Sequence, residues 1–358
     1  MRLRLLSRST ILCFMEAKRS LLQRLEAGEA VICAEGYLFE LEKRGWLQAG
    51  PFVPTVVLEA PEKVLELHRE FVHAGSDVVE ALTYYAHRDK LRVIEREADI
   101  ERLNLEALSL AKVVAEETNT LLAGNICNSN IYTGEAEQLN LIREMVTEQA
   151  QWALDAGVDF IVGETYNCYQ EALVGLQVIK EAGLPAVITL AINSSGQTID
   201  GFAPDDACQR LAEAGADVVG LNCLRGPGTM LPLLAEIKER CPQTHLAALP
   251  VPYRTTASQP TFQSLTDPGN PKPQQRVFPT ELDPLYCARS EITQFGADAY
   301  RMGYRYLGVC CGARADHIRA LATGIGREVP ASTYQPDLSK HSYLGDVNPK
   351  NKQYVADM

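Results

Sequence analysis

The segment Glu213-Ala214-Gly215-Ala216-Asp217-Val218-Val219 decides the fold of this chain. It fits a helix that ends at a glycine cap, followed by a short turn into a buried strand. The same order of alanine, glycine, spacer, aspartate and apolar residues occurs at residues 73–79 and 155–161, and looser copies occur at residues 181–187 and 301–307. Between the copies, apolar residues recur at three- and four-residue spacing, which is typical of amphipathic helices. Strands that alternate with helices predict a parallel sheet.

The number of predicted strands helps to choose between two folds that contain a parallel sheet. Apolar runs predict eight strands, near Val31, Val78, Leu121, Phe160, Val187, Val218, Leu246 and Tyr306. Eight βα units in a chain of this length match a (β/α)8 TIM barrel. The alternative is a doubly wound open sheet, but the Gly-rich phosphate turn expected after its first strand is absent from the sequence. We predict an N-terminal extension over residues 1–20, a barrel over residues 21–330 and a short C-terminal extension over residues 331–358.

The composition argues against several classes of function. The 358-residue chain has a formal net charge of −12, which disfavours a polyanion-binding surface and so a nucleic-acid partner. No apolar run is long enough to span a bilayer, so we expect no membrane partner. Ten cysteines spread along a long chain indicate reduced thiols and a cytoplasmic protein. The basic segment over residues 1–15 leaves a mitochondrial targeting sequence open as an alternative to a plain extension.

Three cysteines stand at predicted carboxyl ends of strands, where the chemistry of such barrels is located. Cys223 ends one apolar run, and Cys310-Cys311-Gly312 ends another. If the chain turns at Gly312, the three sulfur atoms can converge on one point. Three thiolates describe a zinc (Zn²⁺) site whose fourth position stays open for a substrate. The other interpretations are that Cys223 is a small buried hydrophobic residue and that the adjacent pair is redox-active, although a disulfide between neighbours is far from ordinary bridge geometry.

Polar side chains at the other predicted strand ends belong to the same rim of the barrel. These residues are Glu80, Thr83, Tyr85, Asn125, Glu164, Asn193 and Asn222. Because the carboxyl ends of the strands meet on one face, we expect these side chains to surround the thiols.

The two cysteine motifs resemble those of the zinc-dependent homocysteine S-methyltransferase family. They are the G-x-N-C of residues 220–223 and the G-x-C-C-G of residues 308–312, followed by the sequence His-Ile-Arg-Ala at residues 317–320. The resemblance covers about residues 29–319. Within the family it is strongest to the betaine-dependent enzymes, through residues 41–45, 49–51, 67–71 and 89–91.

The resemblance implies roles for five residues. Cys223, Cys310 and Cys311 would be the zinc ligands. Glu164 would hold the amino group of homocysteine, and Tyr85 would lie near the metal and occupy its open position when substrate is absent. We take Glu164 and Tyr85 as the catalytic candidates. Each has a plainer interpretation, a cap of the following helix for Glu164 and packing at the rim for Tyr85.

Three positions depart from the family's pattern and affect substrate binding. Ala34-Glu35-Gly36 stands where the family usually has Asp-Gly-Gly, so we expect Glu35 to replace the aspartate; Phe52 stands in place of Trp, and Thr165 in place of Tyr. Aromatic faces hold cationic donors, and the candidates for such a cage are Tyr37, Phe52, Tyr85 and Tyr166. The expected substrate-binding residues are Glu35, Gly36, Tyr37, Phe52, Tyr85, Asn125, Glu164, Thr165 and Asn222.

Together these residues predict a zinc-dependent methyltransferase that moves a methyl group from a small cationic donor to homocysteine, forming methionine. Betaine is the favoured donor, and S-methylmethionine or another sulfonium compound is the alternative. A non-catalytic zinc- or thiol-binding barrel and a dithiol oxidoreductase are the rival classes. The tail from Tyr334 to Tyr354 resembles the family's oligomerisation extension, so we expect a homo-oligomer.

Overall fold

The computed structural model describes residues 18–269, 276–341 and 344–345. Eight parallel strands form a closed barrel in which neighbours follow chain order and the last strand pairs with the first. The strands are β1 (Val31–Ala34), β2 (Val78–Glu80), β3 (Leu121–Cys127), β4 (Phe160–Tyr166), β5 (Ala186–Leu190), β6 (Val218–Asn222), β7 (His245–Leu249) and β8 (Tyr306–Val309). The predicted (β/α)8 barrel is therefore confirmed.

Helices surround the barrel, and at least one helix follows every strand. The helices in the described part of the chain are α1 (Leu21–Glu26), α2 (Tyr37–Lys43), α3 (Val56–Glu59), α4 (Pro61–Ala74), α5 (Arg88–Val93), α6 (Ile100–Thr118), α7 (Ala136–Ala156), α8 (Tyr169–Glu181), α9 (Pro204–Glu213), α10 (Pro227–Arg240), α11 (Arg289–Arg301) and α12 (Ala315–Gly324). Their apolar faces pack on the outside of the strands in one large core.

The repeated aspartate has a structural role that fixes strand pairing. Asp77, Asp159 and Asp217 each precede a strand, and each carboxylate accepts a backbone N–H from the strand before it in the barrel. The three donors are the N–H groups of Ile32, Leu122 and Ala186, at 2.7–2.8 Å. The repeat in the sequence thus reflects a device that sets the register at the amino end of the barrel.

The connection between β7 and α11 covers the carboxyl face of the barrel. Its described part contains short 3-10 helices at Phe262–Ser264 and Asp283–Leu285. Phe262 is buried in the same cluster as Cys223 and Cys310. This connection therefore forms the roof over the predicted site.

Two predicted segments lie wholly or partly outside the described residues. The basic N-terminal segment falls within residues 1–17, and the predicted oligomerisation arm beyond residue 345 is outside as well. The tail begins with short 3-10 helices at Pro330–Tyr334 and Leu338–Lys340. Within the part of the chain that the structure describes, no helix combines the length and the apolar character needed to cross a membrane.

Candidate metal and substrate site

Cys223, Cys310 and Cys311 come together at the carboxyl end of the barrel. Cys223 directly follows β6, and the adjacent pair directly follows β8. The three sulfur atoms all lie within 4.8 Å of one another, and the Sγ atoms of Cys310 and Cys311 are 3.9 Å apart. Residues that are distant in the sequence therefore form one cluster of three thiols.

The three thiols differ in acidity because they share hydrogen bonds. Donation from the S–H groups of Cys310 and Cys311 lowers the pKa of Cys223 well below its usual value. Burial raises the pKa of Cys310, and the hydrogen bond to Cys223 raises that of Cys311. One thiolate solvated by two thiols is a compact set of soft donors, and zinc accepts three such ligands while keeping a position for substrate. The residues present fit a zinc ion.

Four predicted site residues have left-handed backbone conformations, which are uncommon outside glycine. The φ angles are +52° at Phe52, +60° at Tyr85, +60° at Thr165 and +55° at Cys223. At Thr165 the pairing of β4 with β5 also shifts register, between Gly163 and Tyr166. Each such residue costs about 1–3 kcal/mol, and this kind of strain concentrates at functional sites.

A small buried cavity, the acid chamber, lies beside the thiols. Its lining includes the side chains of Glu35, Glu80 and Glu164 together with Cys310 and Cys311. The volume is about 20 Å³, enough for one water-sized group. None of its lining residues, in the part of the chain that the structure describes, is a lysine, arginine or histidine.

Two side-chain amides connect the three glutamates. Asn125 donates through Nδ2 to Oε1 of Glu80 at 2.6 Å and to Oε1 of Glu164 at 2.5 Å. Asn222 donates through Nδ2 to Oε2 of Glu164 at 2.7 Å and to Oε2 of Glu35 at 3.2 Å. Strands β1, β2, β3, β4 and β6 thus meet in one hydrogen-bond network next to the thiols.

All three glutamates of the acid chamber have raised pKa values. Burial, and then the charges of the other carboxylates, raise the pKa of Glu35 and Glu164 well above the ordinary value. Burial raises the pKa of Glu80 to about 7. A buried carboxylate without a cation is unfavourable, so the chamber is suited to a positively charged ligand.

A second, larger cavity, the aromatic chamber, also borders the thiols. Its volume is about 280 Å³, and Cys223 and Cys311 line it. Phe39 and Phe52 stack there with ring centroids 5.1 Å apart. No charged side chain of the described residues lines this chamber. Its aromatic lining consists of Phe39, Phe52, Tyr84, Tyr85, Phe262 and Phe278.

The predicted substrate residues divide between the two chambers. Glu35, Gly36, Tyr37, Asn125 and Glu164 line the acid chamber. Phe52, Tyr85 and Thr165 line the aromatic chamber. Asn222 lines neither chamber, and its Oδ1 accepts the backbone N–H of Thr165 at 3.0 Å.

The predicted cage of four aromatic residues does not form as expected. The Tyr37 hydroxyl lies 3.1 Å from Nδ1 of His68, and the Tyr37 ring packs edge-on against Phe71, outside the aromatic chamber. Tyr166 is fully buried against Gly175 of α8 and lines neither chamber. The bulge at Thr165 changes which side chains of β4 face the axis, and strand alternation alone could not predict that.

Gly36 allows the turn after β1 to approach the cysteine turn. A Cβ atom at Gly36 would lie 2.4 Å from the carbonyl oxygen of Ala313, which is too close for any side chain. Gly36 therefore shapes the acid chamber through its backbone.

The sequence predicted Glu80 at the rim of the barrel, because an acidic residue ended a buried apolar strand, but gave it no separate role. Other lining residues were missed. Tyr84, next to Tyr85, lines both chambers. Phe262 and Phe278 come from the irregular β7–α11 connection, where no periodicity indicates which side chains point inward.

Comparison with known protein families gives one clear match. Residues 32–325 match the family model described as homocysteine S-methyltransferase. The chain belongs to the homocysteine S-methyltransferase family. The predicted family and the predicted class, a methyltransferase, are confirmed.

Relatives of this homocysteine S-methyltransferase family member carry two different donor names. Betaine–homocysteine S-methyltransferase 1 of Xenopus tropicalis is 34% identical over 92% of this chain and 80% of that protein. S-methylmethionine–homocysteine S-methyltransferase BHMT2 of Pongo abelii is 34% identical over 92% of this chain and 87% of that protein. The metallated form of the homocysteine methyltransferase MmuM from Escherichia coli is 18% identical, with a TM-score of 0.65 over 84% of this chain and 99% of that one. This last similarity supports the fold.

Proposed function

We propose that this protein transfers a methyl group from betaine to the thiol of homocysteine, forming methionine, with a zinc ion held by Cys223, Cys310 and Cys311. The observation that carries the proposal is the position of Cys311, which lines both the acid chamber and the aromatic chamber. A thiol acceptor and a cationic donor would therefore meet at the cysteine cluster, each in a cavity of matching chemistry.

The reaction needs an ionised acceptor and a donor with a stable leaving group. Zinc, when bound, supplies the positive charge that keeps the acceptor thiol ionised at neutral pH. The methyl carbon forms a bond to the homocysteine sulfur while its bond to the donor nitrogen breaks. That nitrogen keeps the electron pair and leaves as a neutral tertiary amine, and the thiol proton passes to solvent. No separate general acid is required for the leaving group.

The residues of the chain contribute orientation and exclusion of water. Glu164 and Glu35 would hold the ammonium group of homocysteine, and the hydrogen bonds that Asn125 and Asn222 donate to these carboxylates support this role. The aromatic rings face the donor cation, which they attract without hydrogen bonds. The roof formed by the β7–α11 connection, with Phe262 inside it, limits the access of water.

The choice of donor rests on the lining of the aromatic chamber. Betaine carries a trimethylammonium group and a carboxylate, and the chamber offers aromatic faces together with the amides of Asn128, Asn130 and Asn167. S-methylmethionine carries an additional ammonium group, for which the described lining of the chamber provides no carboxylate. Betaine is therefore the first donor and S-methylmethionine the second.

The decisive experiment is a donor panel with the zinc-loaded full-length chain. Homocysteine is incubated with methyl-labelled betaine, S-methylmethionine or another sulfonium compound, and labelled methionine is measured by mass spectrometry. We expect the highest rate with betaine. Absence of labelled methionine with every donor would contradict the proposal and favour a non-catalytic barrel. Turnover that survives chelation but is lost with a reductant would favour a dithiol oxidoreductase.

We also propose that the division into an extension, a barrel and a tail has a functional meaning, with the tail joining subunits of a homo-oligomer. Exposed apolar side chains at Tyr334 and Leu338 support a docking role. Light scattering on the full chain and on a chain ending at Pro330 tests this. An unchanged mass after truncation would contradict it.

A further inference from the structure

The acid chamber contains one more carboxyl group than the proposed function has used. Glu80 lies at the end of β2 and is 2% exposed. Its Oε1 accepts from Asn125, and its Oε2 lies 3.5 Å from Sγ of Cys33. It has no cationic partner among the described residues, as is also true of Glu35 and Glu164. A third buried acid in a cavity of this size is costly unless a ligand balances it.

Unpaired polar atoms in the chamber point to the kind of ligand it accepts. Oε1 of Glu35 and Oδ1 of Asn125 are buried and make no hydrogen bond to any residue that the structure describes. Asn125 itself is 5% exposed, and both of its N–H bonds are directed to carboxylates. The atoms left without partners are therefore all acceptors. A ligand that satisfies them must be a hydrogen-bond donor as well as a cation.

The volume of the chamber limits that ligand to a small group. About 20 Å³ is available, which matches one primary ammonium group and not a trimethylammonium group. A primary ammonium has three N–H donors, whereas a quaternary ammonium has none and is attracted by aromatic faces. The acid chamber therefore fits the primary ammonium group of the acceptor, whereas the aromatic chamber fits the quaternary ammonium group of the donor.

We propose that Glu80 is a specificity-determining residue for the acceptor, and that Glu35, Glu80 and Glu164 together receive the three N–H bonds of its α-ammonium group. This inference rests on the proposed methyl transfer to an amino-acid thiol. Asn125 positions Glu80 and Glu164 and offers its free Oδ1 as a further acceptor. The chamber selects acceptors with a free primary amine and excludes the methyl donor.

The experiment compares two thiols that differ only in the amine, homocysteine and 4-mercaptobutanoate. The zinc-loaded full-length protein and its Glu80→Gln variant are assayed with both. Glu80→Gln replaces a charged acceptor by a neutral one, and hydrogen bonds to charged groups are the stronger kind, so we expect kcat/KM for homocysteine to fall about tenfold in this variant. The value for 4-mercaptobutanoate should change less than twofold, so that the discrimination between the two thiols is largely lost.

The matched control is Glu171→Gln. Glu171 is 3% exposed and accepts the backbone N–H of Ser129, outside both chambers. The Glu171→Gln variant should leave the ratio of kcat/KM for homocysteine to kcat/KM for 4-mercaptobutanoate unchanged. If kcat/KM fell equally for both thiols in Glu80→Gln, the role of Glu80 would be purely structural and the inference would be overturned.

Two further measurements test the role of Glu80. If Glu80→Gln does not fold, Glu80→Asp keeps the charge at a shorter reach, and an unchanged preference for homocysteine in that variant would overturn the inference. Cys33, Glu35 and Glu80 also have ligand atoms within 4.8 Å of one another, so the zinc content of wild type and variant is measured. A second zinc ion that the variant loses would assign Glu80 to a metal instead.

Failure of the proposed function can be distinguished from failure of this inference. If the wild type forms no methionine, calorimetric binding of homocysteine and 4-mercaptobutanoate to the zinc-loaded protein still compares the two ligands. Tighter binding of homocysteine that Glu80→Gln removes would support the ammonium site without methyl transfer. Equal binding of both ligands by the wild type would overturn the inference.

Discussion

Gly312 and Tyr253 are so close that no side chain fits between them. A Cβ atom at Gly312 would lie 2.3 Å from the hydroxyl oxygen and 2.7 Å from Cζ of Tyr253. Gly312 also has a φ of +90°, which side chains rarely adopt. The turn that places Cys310 and Cys311 therefore depends on a glycine packed against a buried tyrosine ring.

Gly312→Ala should displace this turn and weaken metal binding. Steric overlap with a fully buried ring adds to the conformational strain, so we expect the free energy of unfolding to fall by about 3 kcal/mol. Gly326→Ala is the control, since Gly326 has a φ of +73° with open space around it. Urea unfolding and zinc titration measure the difference. Equal effects of the two substitutions would contradict the role of Tyr253.

Cys223→Ala should abolish tight zinc binding, because two thiols at the end of β8 cannot complete a three-ligand site. Cys208→Ala is the matched control, since Cys208 is equally buried but lies on α9. We expect one zinc per chain in the wild type and in Cys208→Ala, and none in Cys223→Ala, by elemental analysis after dialysis. Full zinc content and turnover in Cys223→Ala would refute the metal site.

Phe52→Ala should weaken binding of the donor and leave the acceptor unaffected. The Phe52 ring stacks on Phe39 in the aromatic chamber, and loss of a cation–π contact of about 1–2 kcal/mol predicts a donor KM raised about tenfold. Trp46→Ala removes an exposed aromatic ring outside both chambers and serves as the control. Steady-state kinetics with each substrate varied in turn separates the two KM values. A rise in the homocysteine KM instead would contradict the assignment of the chambers.

The stability of the substrate-free protein should depend on pH through Glu80. Burial raises the pKa of Glu80 from 4.5 to about 7, so the unfolded chain loses this proton at a lower pH than the folded protein does. Stability therefore falls as pH rises from about 5 to 7. Glu80→Gln removes this loss and should gain about 2–3 kcal/mol relative to wild type between pH 5 and pH 8. Denaturant unfolding at each pH measures the free energy of unfolding of both proteins. Parallel plots of this free energy against pH for wild type and Glu80→Gln would contradict the pKa shift.

The barrel could be predicted from the sequence because its repeat is local. Each copy combines a glycine that ends a helix with an aspartate that pairs with the preceding strand, as Asp217 does with the N–H of Ala186. The position of the cysteines followed from the same logic, since Cys223 and Cys310 directly follow strands.

The details of the two chambers could not be predicted in this way. The bulge at Thr165 directs Tyr166 into the helix layer, and no periodic pattern signals a bulge. Phe262 and Phe278 reach the site from an irregular connection. Glu80 was visible at a strand end, but only its partnership with Glu35 and Glu164 shows that three acids share one cavity.

The left-handed backbone at Phe52, Tyr85, Thr165 and Cys223 has a consequence for protein engineering. Glycine at such positions would relieve backbone strain, and where that relief exceeds the lost packing and the added entropy of the unfolded chain, selection for heat resistance alone should enrich glycine there. The same substitutions remove the side chains that shape the chambers. Thermostable variants obtained without an activity screen should therefore be poor catalysts, and durable improvements should come from positions far from the barrel mouth.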